Sequence, residues 1–210
     1  MPVILDDLAW KQGIDKSTRI HGYTRAYGRV FQHLRLDPIK LLEIGVGSAG
    51  SLRMWRDYFP YAEIYGVDNT EVPHPERTTV ITGDQSDGIF LSKLIADFKS
   101  FDIIIDDGSH ISSDQIFTFK TLFPAVATNG FYVIEDLHTS YWPDYTHGLL
   151  SAIEYLKSKL DDLNMYGRNG YGVPRRDPNY NPNDEDPICR LVDRIEFYKS
   201  MAIIARNGEA

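Results

Sequence analysis

Short apolar runs recur through the middle of the chain, at 40–44, 63–67, 79–82, 102–105 and 130–134. Each is bounded by charged or turn-forming residues, which predicts strands. Ile103, Ile104 and Ile105 follow one another without polar alternation, so the fourth strand is expected to be buried on both faces. The segments between the runs have helical spacing instead. Leu52, Trp55 and Phe59 recur three and four apart, as do Phe90, Leu94 and Phe98. Ile116, Phe119 and Phe123 do the same behind Ser112 or Ser113, either of which can act as N-cap. Strands alternating with helices predict right-handed βαβ units and an α/β, Rossmann-like architecture: a mostly parallel central sheet with helices on both faces.

The two ends differ from this pattern. Residues 21–35 read as a helix ahead of the first strand, within a helical N-terminal part over 1–36. A longer helix is expected over 147–163. It is followed over 165–190 by a stretch rich in Gly, Pro, Asn and Asp, which predicts a long loop. DRIEFY and MAIIAR, separated by Lys199 and Ser200, read as an antiparallel hairpin and bring the sheet to seven strands. With no repeat and no linker, 1–210 is expected to form a single domain.

Composition narrows the function. A net charge of −8 argues against nonspecific nucleic-acid binding, which needs clustered Lys and Arg. The single cysteine, Cys189, precludes an intrachain disulfide and points to a reducing compartment. No apolar run reaches the roughly 18 residues of a membrane helix. The opening MPVILDDLAWKQG meets acidic residues at once, unlike a signal peptide. A cytoplasmic protein with a small-molecule partner is the expectation, without nucleic acid or membrane; a homo-oligomer is compatible with it.

The first strand runs into LLEIGVGSAGSLRMW, where Gly45, Gly47 and Gly50 match G-x-G-x-x-G between a strand and a helix. Asp68 closes the second strand, where a carboxylate can accept hydrogen bonds from ribose hydroxyls. This fits NAD or S-adenosylmethionine. Glu43, just before the first glycine, favours the second, because a carboxylate there suits a cationic ligand and repels a pyrophosphate. No lysine or arginine occurs in the turn itself to balance it. The C-terminal hairpin also resembles the sheet edge of class I methyltransferases.

Carboxylates cluster at two successive strand ends. Asp106 and Asp107 leave the fourth strand in IIIDDGSH, and Glu135 and Asp136 leave the fifth in FYVIEDLH. Ligands of parallel sheets bind beyond the carboxyl ends of the strands. Four carboxylates converging on one rim call for a cation, and oxygen ligands in that number suit Mg²⁺. His110, in the turn after Asp107, is placed as a general base. Other readings remain open: Asp-Asp-Gly as a plain turn, Glu135 and Asp136 as a helix cap, or an iron site of His110, His138 and Asp107.

GIDKSTRIHGYTRAY, LLEIGVGSAGSLRMWRDYFP, YGVD, FDIIIDDGSHIS and GFYVIEDLHTSYWP together resemble the catalytic domain of the macrolide-sugar O-methyltransferases of the macrocin and mycinamicin type, over about residues 8–143. The resemblance implies a class I methyltransferase dependent on S-adenosylmethionine and Mg²⁺. It implies that Glu43, Gly45, Gly47 and Ser51 line the methionine and ribose part of the cofactor and that Asp68 binds the ribose. Asp84 and Gln85 would border the adenine, and Asp106 would lie near the sulfonium. Asp107, Glu135 and Asp136 would hold Mg²⁺, with His110 as base. Tyr23 would close over the cofactor or serve as a core tyrosine.

The expected reaction is methylation of a hydroxyl on a sugar or glycosylated natural product. The alternatives are methylation of a catechol or other phenol, a cofactor-binding protein without chemistry, and an NAD-dependent oxidoreductase. The 165–190 loop, with Tyr166, Tyr171 and Tyr180, is the expected substrate lid.

Overall fold

The computed structural model describes residues 4–165 and 186–208. Its centre is a seven-stranded sheet: β1 (Lys40–Ile44), β2 (Glu63–Asp68), β3 (Thr78–Thr82), β4 (Phe101–Asp106), β5 (Val126–Ile134), β6 (Val192–Tyr198) and β7 (Met201–Arg206). The spatial order is β3-β2-β1-β4-β5-β7-β6. The first five strands are parallel, whereas β7 runs antiparallel to both β5 and β6. Strand order reverses between β1 and β4, so a crevice opens beyond their carboxyl ends. The fold is the mostly parallel sheet with a C-terminal hairpin that the apolar pattern predicts. Each strand begins within a few residues of its apolar run.

The uninterrupted apolar runs make physical sense because both faces of the sheet are covered. Leu41, Ile103, Ile105, Phe131, Val133, Ile203 and Ala205 belong to one core. It is closed by α1 (Leu5–Gln12), α2 (Tyr23–Phe31) and α3 (Gly50–Tyr58). Leu42, Ile44, Ile104, Tyr132, Ile134, Ala202 and Ile204 belong to the other core. It is covered by α4 (Gly88–Phe98), α5 (Ser112–Leu122) and α7 (Ala152–Met165). Odd positions of β1, β5, β7 and, from Ile103 on, β4 face the first core and even positions the second, while Phe101, before the irregularity in β4, belongs to the second. This is the period of two along each strand.

Three local expectations are corrected. The helix over 21–35 is shorter, ending at Phe31 and running into a 3₁₀ turn at Gln32–Leu34. The helix expected from 147 begins only at Ala152. A four-residue helix α6 (Pro143–Thr146) precedes it, and His147 and Gly148, both at positive φ, break the chain between the two. The N-cap of α5 is Ile111 rather than a serine, and Ser112 is already helical. Here Ser109 accepts from Ile111 N at 3.2 Å and donates to Asp114 at 2.8 Å, fastening the entry to the helix. The tyrosines of the expected lid, Tyr166, Tyr171 and Tyr180, lie outside the described residues.

Within the expected helical N-terminal part, spacing alone did not single out α1, whose mixed residues bury only Leu5 and Ala9 among the eight. Its function in the fold is carried by Asp6. Asp6 Oδ1 accepts from Thr18 N and Thr24 Oγ1, both at 2.6 Å, and Oδ2 accepts from Thr18 Oγ1 at 2.7 Å. One carboxylate thus ties α1 to the 13–22 loop and to the start of α2. Burial pushes the Asp6 carboxyl up, but the hydrogen bonds from Thr24 and Thr18 outweigh it and hold it below the usual range. A carboxyl depressed in the folded state stabilises the fold above the unfolded value, about 3.9. That contribution is lost as pH falls through the folded-state value. Asp6→Ala is therefore expected to cost about 1–3 kcal/mol at pH 7. In urea titrations the gap between variant and wild type should narrow steadily below about pH 4; a gap independent of pH would rule out the clamp.

Candidate active site

Strand parity decides where each carboxylate at the sheet edge points. The ladder continues past the strand ends, with Asp107 N donating to Ile44 O and Glu135 N to Asp106 O, each at 2.9 Å. Glu43, Asp107 and Glu135 occupy odd positions and so face the α1–α3 side. Asp106 occupies an even one and faces the other. The expectation of four carboxylates converging on one rim is therefore corrected: they divide between the two faces of the sheet.

On the α1–α3 side the three carboxylates meet Lys16. Its Nζ lies 2.6 Å from Asp107 Oδ2, 2.7 Å from Glu135 Oε2 and 3.6 Å from Glu43 Oε1. Lys16 is 1% exposed. Burial alone would push its ammonium down, but Asp107, Glu135 and Glu43 drive it well above the usual lysine value. Burial pushes Glu43 up to about 7 and raises Glu135 well above the carboxylate range. One ammonium among three carboxylates leaves the set over-acidic. Ser51 Oγ donates to Glu43 Oε2 at 2.6 Å, and the Tyr27 hydroxyl donates to Glu135 Oε1. Lys16 and Tyr27 are functional residues that sequence reasoning missed; the available signal was the lack of a counter-charge for three carboxylates on one face.

On the opposite face Asp106 is fully buried. It accepts from Gln85 Nε2 at 3.1 Å, from Gly108 N at 3.3 Å and from Tyr132 Oη at 3.4 Å. Burial pushes it up to about 7. Gln85 Oε1 also accepts from Ser109 N at 2.6 Å, so Gln85 and Asp106 fasten the 106–109 turn.

A second group forms at the rim. Asp107, His110 and Asp136 each bring a ligand-capable atom to within 4.8 Å of the others. His110 Nε2 is 3.5 Å from Asp136 Oδ2, and its Nδ1 is buried without a partner. His110 and Asp136 both hold left-handed backbone, at φ 59° and 53°. Strained residues of this kind persist when their surroundings over-determine them. Thr139 does so here, its hydroxyl meeting the carbonyls of His110 at 3.0 Å and Asp136 at 2.8 Å. Tyr23 is buried in the first core and donates to Asp136 Oδ1 at 2.6 Å, which makes it a support of that carboxylate. Glu135 and His138 stand outside the cluster: Glu135 is turned onto Lys16 and Tyr27, and His138 Nδ1 pairs with Ser200 Oγ at 2.5 Å.

The glycine turn runs beside this cluster. Gly45 has φ 85°, and a Cβ there would lie 2.0 Å from the Asp107 carbonyl oxygen, so the turn and the acidic strand end pack backbone to backbone. Asp68 Oδ2 accepts from Val46 N at 2.9 Å and Gly47 N at 3.0 Å, while Oδ1 accepts from Thr70. Burial raises its carboxyl, but the amides of Gly47, Thr70 and Val46 outweigh that and hold it low. Two adjoining cavities share Gly45, Asp68 and Gly108. A smaller one of about 140 Å³ reaches Val67, Asn69, Asp84 and Gln85. A larger one of about 510 Å³ reaches Lys16, Gly47, Ser51, Asp107, His110 and Asp136. Of the predicted site residues, Glu43, Asp106, Glu135 and Tyr23 line neither cavity; they lie behind the walls.

No family model matches the chain. It is 41% identical over 222 residues to mycinamicin VI 2''-O-methyltransferase of Micromonospora griseorubida, covering 98% of this chain and 53% of that protein. It is 39% identical over 174 residues to demethylmacrocin O-methyltransferase of Streptomyces fradiae, covering 76% and 44%. Among solved structures it superposes on the MycE methyltransferase from the mycinamycin biosynthetic pathway, in complex with Mg and SAH, with a TM-score of 0.86 and 32% identity. That match covers 99% of this chain and 54% of the other. The chain spans about half the length of the curated relatives it matches. The likeness extends well beyond the 8–143 segment in which the sequence motifs lie.

The turn geometry yields a direct comparison. Gly47 also has positive φ, 52°, but a Cβ there would meet nothing within 4 Å. Gly47→Ala is expected to cost only the left-handed penalty, about 1–2 kcal/mol. Gly45→Ala adds the collision with the Asp107 backbone and should cost roughly 3 kcal/mol or more. Urea unfolding of the two variants would contradict this packing if their losses were equal.

Proposed function

We propose, for a chain that belongs with the macrolide-sugar O-methyltransferases in sequence and in fold, that it transfers a methyl group from S-adenosylmethionine to a hydroxyl of a sugar borne by a small natural product, with a divalent cation at Asp107 and Asp136. The observation that carries this reading is the cluster of Asp107, His110 and Asp136 on the wall of a cavity that continues to the glycine turn. The mycinamicin relative is named as acting at the 2'' oxygen, and its solved relative was obtained with Mg, SAH and mycinamycin VI.

The residues present fit both groups. Carboxylate oxygens are the donors a hard cation such as Mg²⁺ prefers, and the set around Lys16 is short of positive charge. Asp107 and Asp136 would hold the ion. Glu135, the third carboxylate of the expected set, faces Lys16 and Tyr27 in this structure. The two adjoining cavities would take the cofactor: Asp84 and Gln85 border the adenine end, Asp68 lies near the ribose, and Gly45, Gly47 and Ser51 line the methionine end. When bound, these groups supply an electrophilic methyl and a Lewis acid that makes a hydroxyl more acidic.

The protein supplies placement and a proton acceptor. His110 takes the proton of the acceptor hydroxyl, and Asp136, 3.5 Å from Nε2, stabilises the imidazolium that results. The acceptor oxygen forms its bond to the methyl carbon as the carbon–sulfur bond breaks, leaving a neutral thioether. The rigid 106–110 turn fixes the base relative to the glycine turn, which reduces the entropy cost of alignment.

His110→Ala is expected to lower kcat by roughly 10²–10⁴-fold with cofactor binding unchanged. His138→Ala, which removes a side chain bonded to Ser200, should cost less than about tenfold. Methyl-transfer assays on glycosylated and phenolic acceptors make the comparison, and an inactive His138→Ala beside a normal His110→Ala would refute the assignment of the base. Calorimetry should show binding of S-adenosylhomocysteine and none of NAD. Chelation should abolish turnover, with Mg²⁺ restoring it; full activity in chelator would refute the metal.

A further inference from the structure

Lys16 lies at the sheet edge, takes no part in the proposed chemistry, and is among the most thoroughly enclosed side chains there. Among the described residues no arginine and no other lysine pairs with Glu43, Asp107 or Glu135. The Asp107 carboxylate belongs to two sets at once, the buried one around Lys16 and the rim cluster with His110 and Asp136. The backbone that carries Lys16 is fixed: its carbonyl accepts from Thr24 N at 3.1 Å, Gly22 N donates to Ser17 O at 2.8 Å, and Asp6 clamps Thr18 and Thr24. The start of the side chain is therefore held in place, and the ammonium at its end is enclosed by the three carboxylates. A compact ammonium with three donors is matched to three carboxylates in a way a planar guanidinium is not.

We propose that Lys16 is a positioning residue: a tethered cation that carries the counter-charge of Asp107 and Glu135 when no divalent ion is bound and shares it when one is, so that the site stays folded through loading and release. The inference rests on the divalent-cation reading above. The charge count gives its logic. Glu43, Asp107 and Glu135 together with Lys16 leave a net charge of −2 when the carboxylates are ionised. Without Lys16 the ionised set would stand at −3 behind the rim, and only a bound ion could keep it ionised; otherwise its carboxyls would take up protons. Removing one partner of a buried ion pair strands the others. The metal would then contribute more to stability than it does in the wild type, where it adds to a site already formed.

The test compares wild type, Lys16→Met and the double variant Lys16→Met/Glu43→Gln, each melted in chelator and in saturating Mg²⁺. Lys16→Met removes the charge and keeps the stem. It should melt about 10 °C lower than wild type in chelator. Mg²⁺ should raise its Tm by at least about twice the gain seen in wild type, since linkage grows when the ion alone balances the site. The double variant restores the net charge of −2, so its Mg²⁺ gain should return to the wild-type value; a merely structural lysine would show no such reset. If Lys16→Met folds only when Mg²⁺ is present, the proposal stands. If it folds in neither condition, or its Mg²⁺ gain equals that of wild type, the proposal fails. Calorimetric titration of wild type with Mg²⁺ separates the two readings. No binding there overturns the metal and this proposal together, whereas normal binding with an unchanged Lys16→Met gain overturns this proposal alone.

Discussion

Burying three carboxylates together on one side of a parallel sheet's end calls for a positive charge, and in this protein that charge is the ammonium of Lys16. It comes from the loop between α1 and α2, far from every residue it serves. The requirement reaches back to the N-terminus, because Asp6 ties the loop down through its hydrogen bonds to Thr18 and Thr24. A helix that contributes little to the core is thus needed to keep a lysine in place. Unpaired buried charge costs several kcal/mol, more than the loss of most single apolar contacts. The clamp follows from the acidic edge.

The pleat of the sheet then sorts the chemistry. Adjacent acidic residues at the end of a strand cannot face the same way, so Asp106 and Asp107 point to opposite cores. Asp106 is spent on Gln85, Gly108 and Tyr132, and it stiffens the turn that leads to His110. Asp107 is shared between Lys16 and the rim. Asp136 escapes the alternation because its backbone turns left-handed at the end of β5, which carries its side chain to His110. A doublet of carboxylates at a strand end therefore yields one structural group and one exposed group.

Much of the fold was legible because both cores are apolar without interruption. Seven strand positions and their hairpin follow from runs such as Ile103–Ile105 and the MAIIAR segment. The helix α7 was misplaced by several residues because the left-handed pair His147 and Gly148 is a backbone event that apolar spacing does not record. At the site, Asp107, His110 and Asp136 could be found because strand ends in parallel sheets are where ligands bind. Lys16 could not, since its partners Asp107 and Glu135 lie 91 and 119 residues away in the chain. Nothing local distinguishes a lysine that will be buried from one on the surface. That Glu135 reaches Lys16 and Tyr27 while its neighbour Asp136 meets His110 follows from the pleat and from the left-handed backbone of Asp136, which sequence adjacency hides.

The same division explains how a strained, over-acidic edge can remain ordered. His110 and Asp136 each hold left-handed backbone that an L-residue adopts at a cost of about 1–2 kcal/mol. A single threonine, Thr139, meets both carbonyls, and Tyr23 reaches Asp136 from the first core. The strain is therefore supported from two directions that do not depend on a ligand. Gly45 adds a third constraint, since its backbone lies against that of Asp107 and leaves no room for either strand end to shift. The floor of the site is fixed by packing and by Lys16, and the rim above it opens onto the larger cavity. An imidazole and two carboxylates held in this way need little reorganisation to meet a ligand.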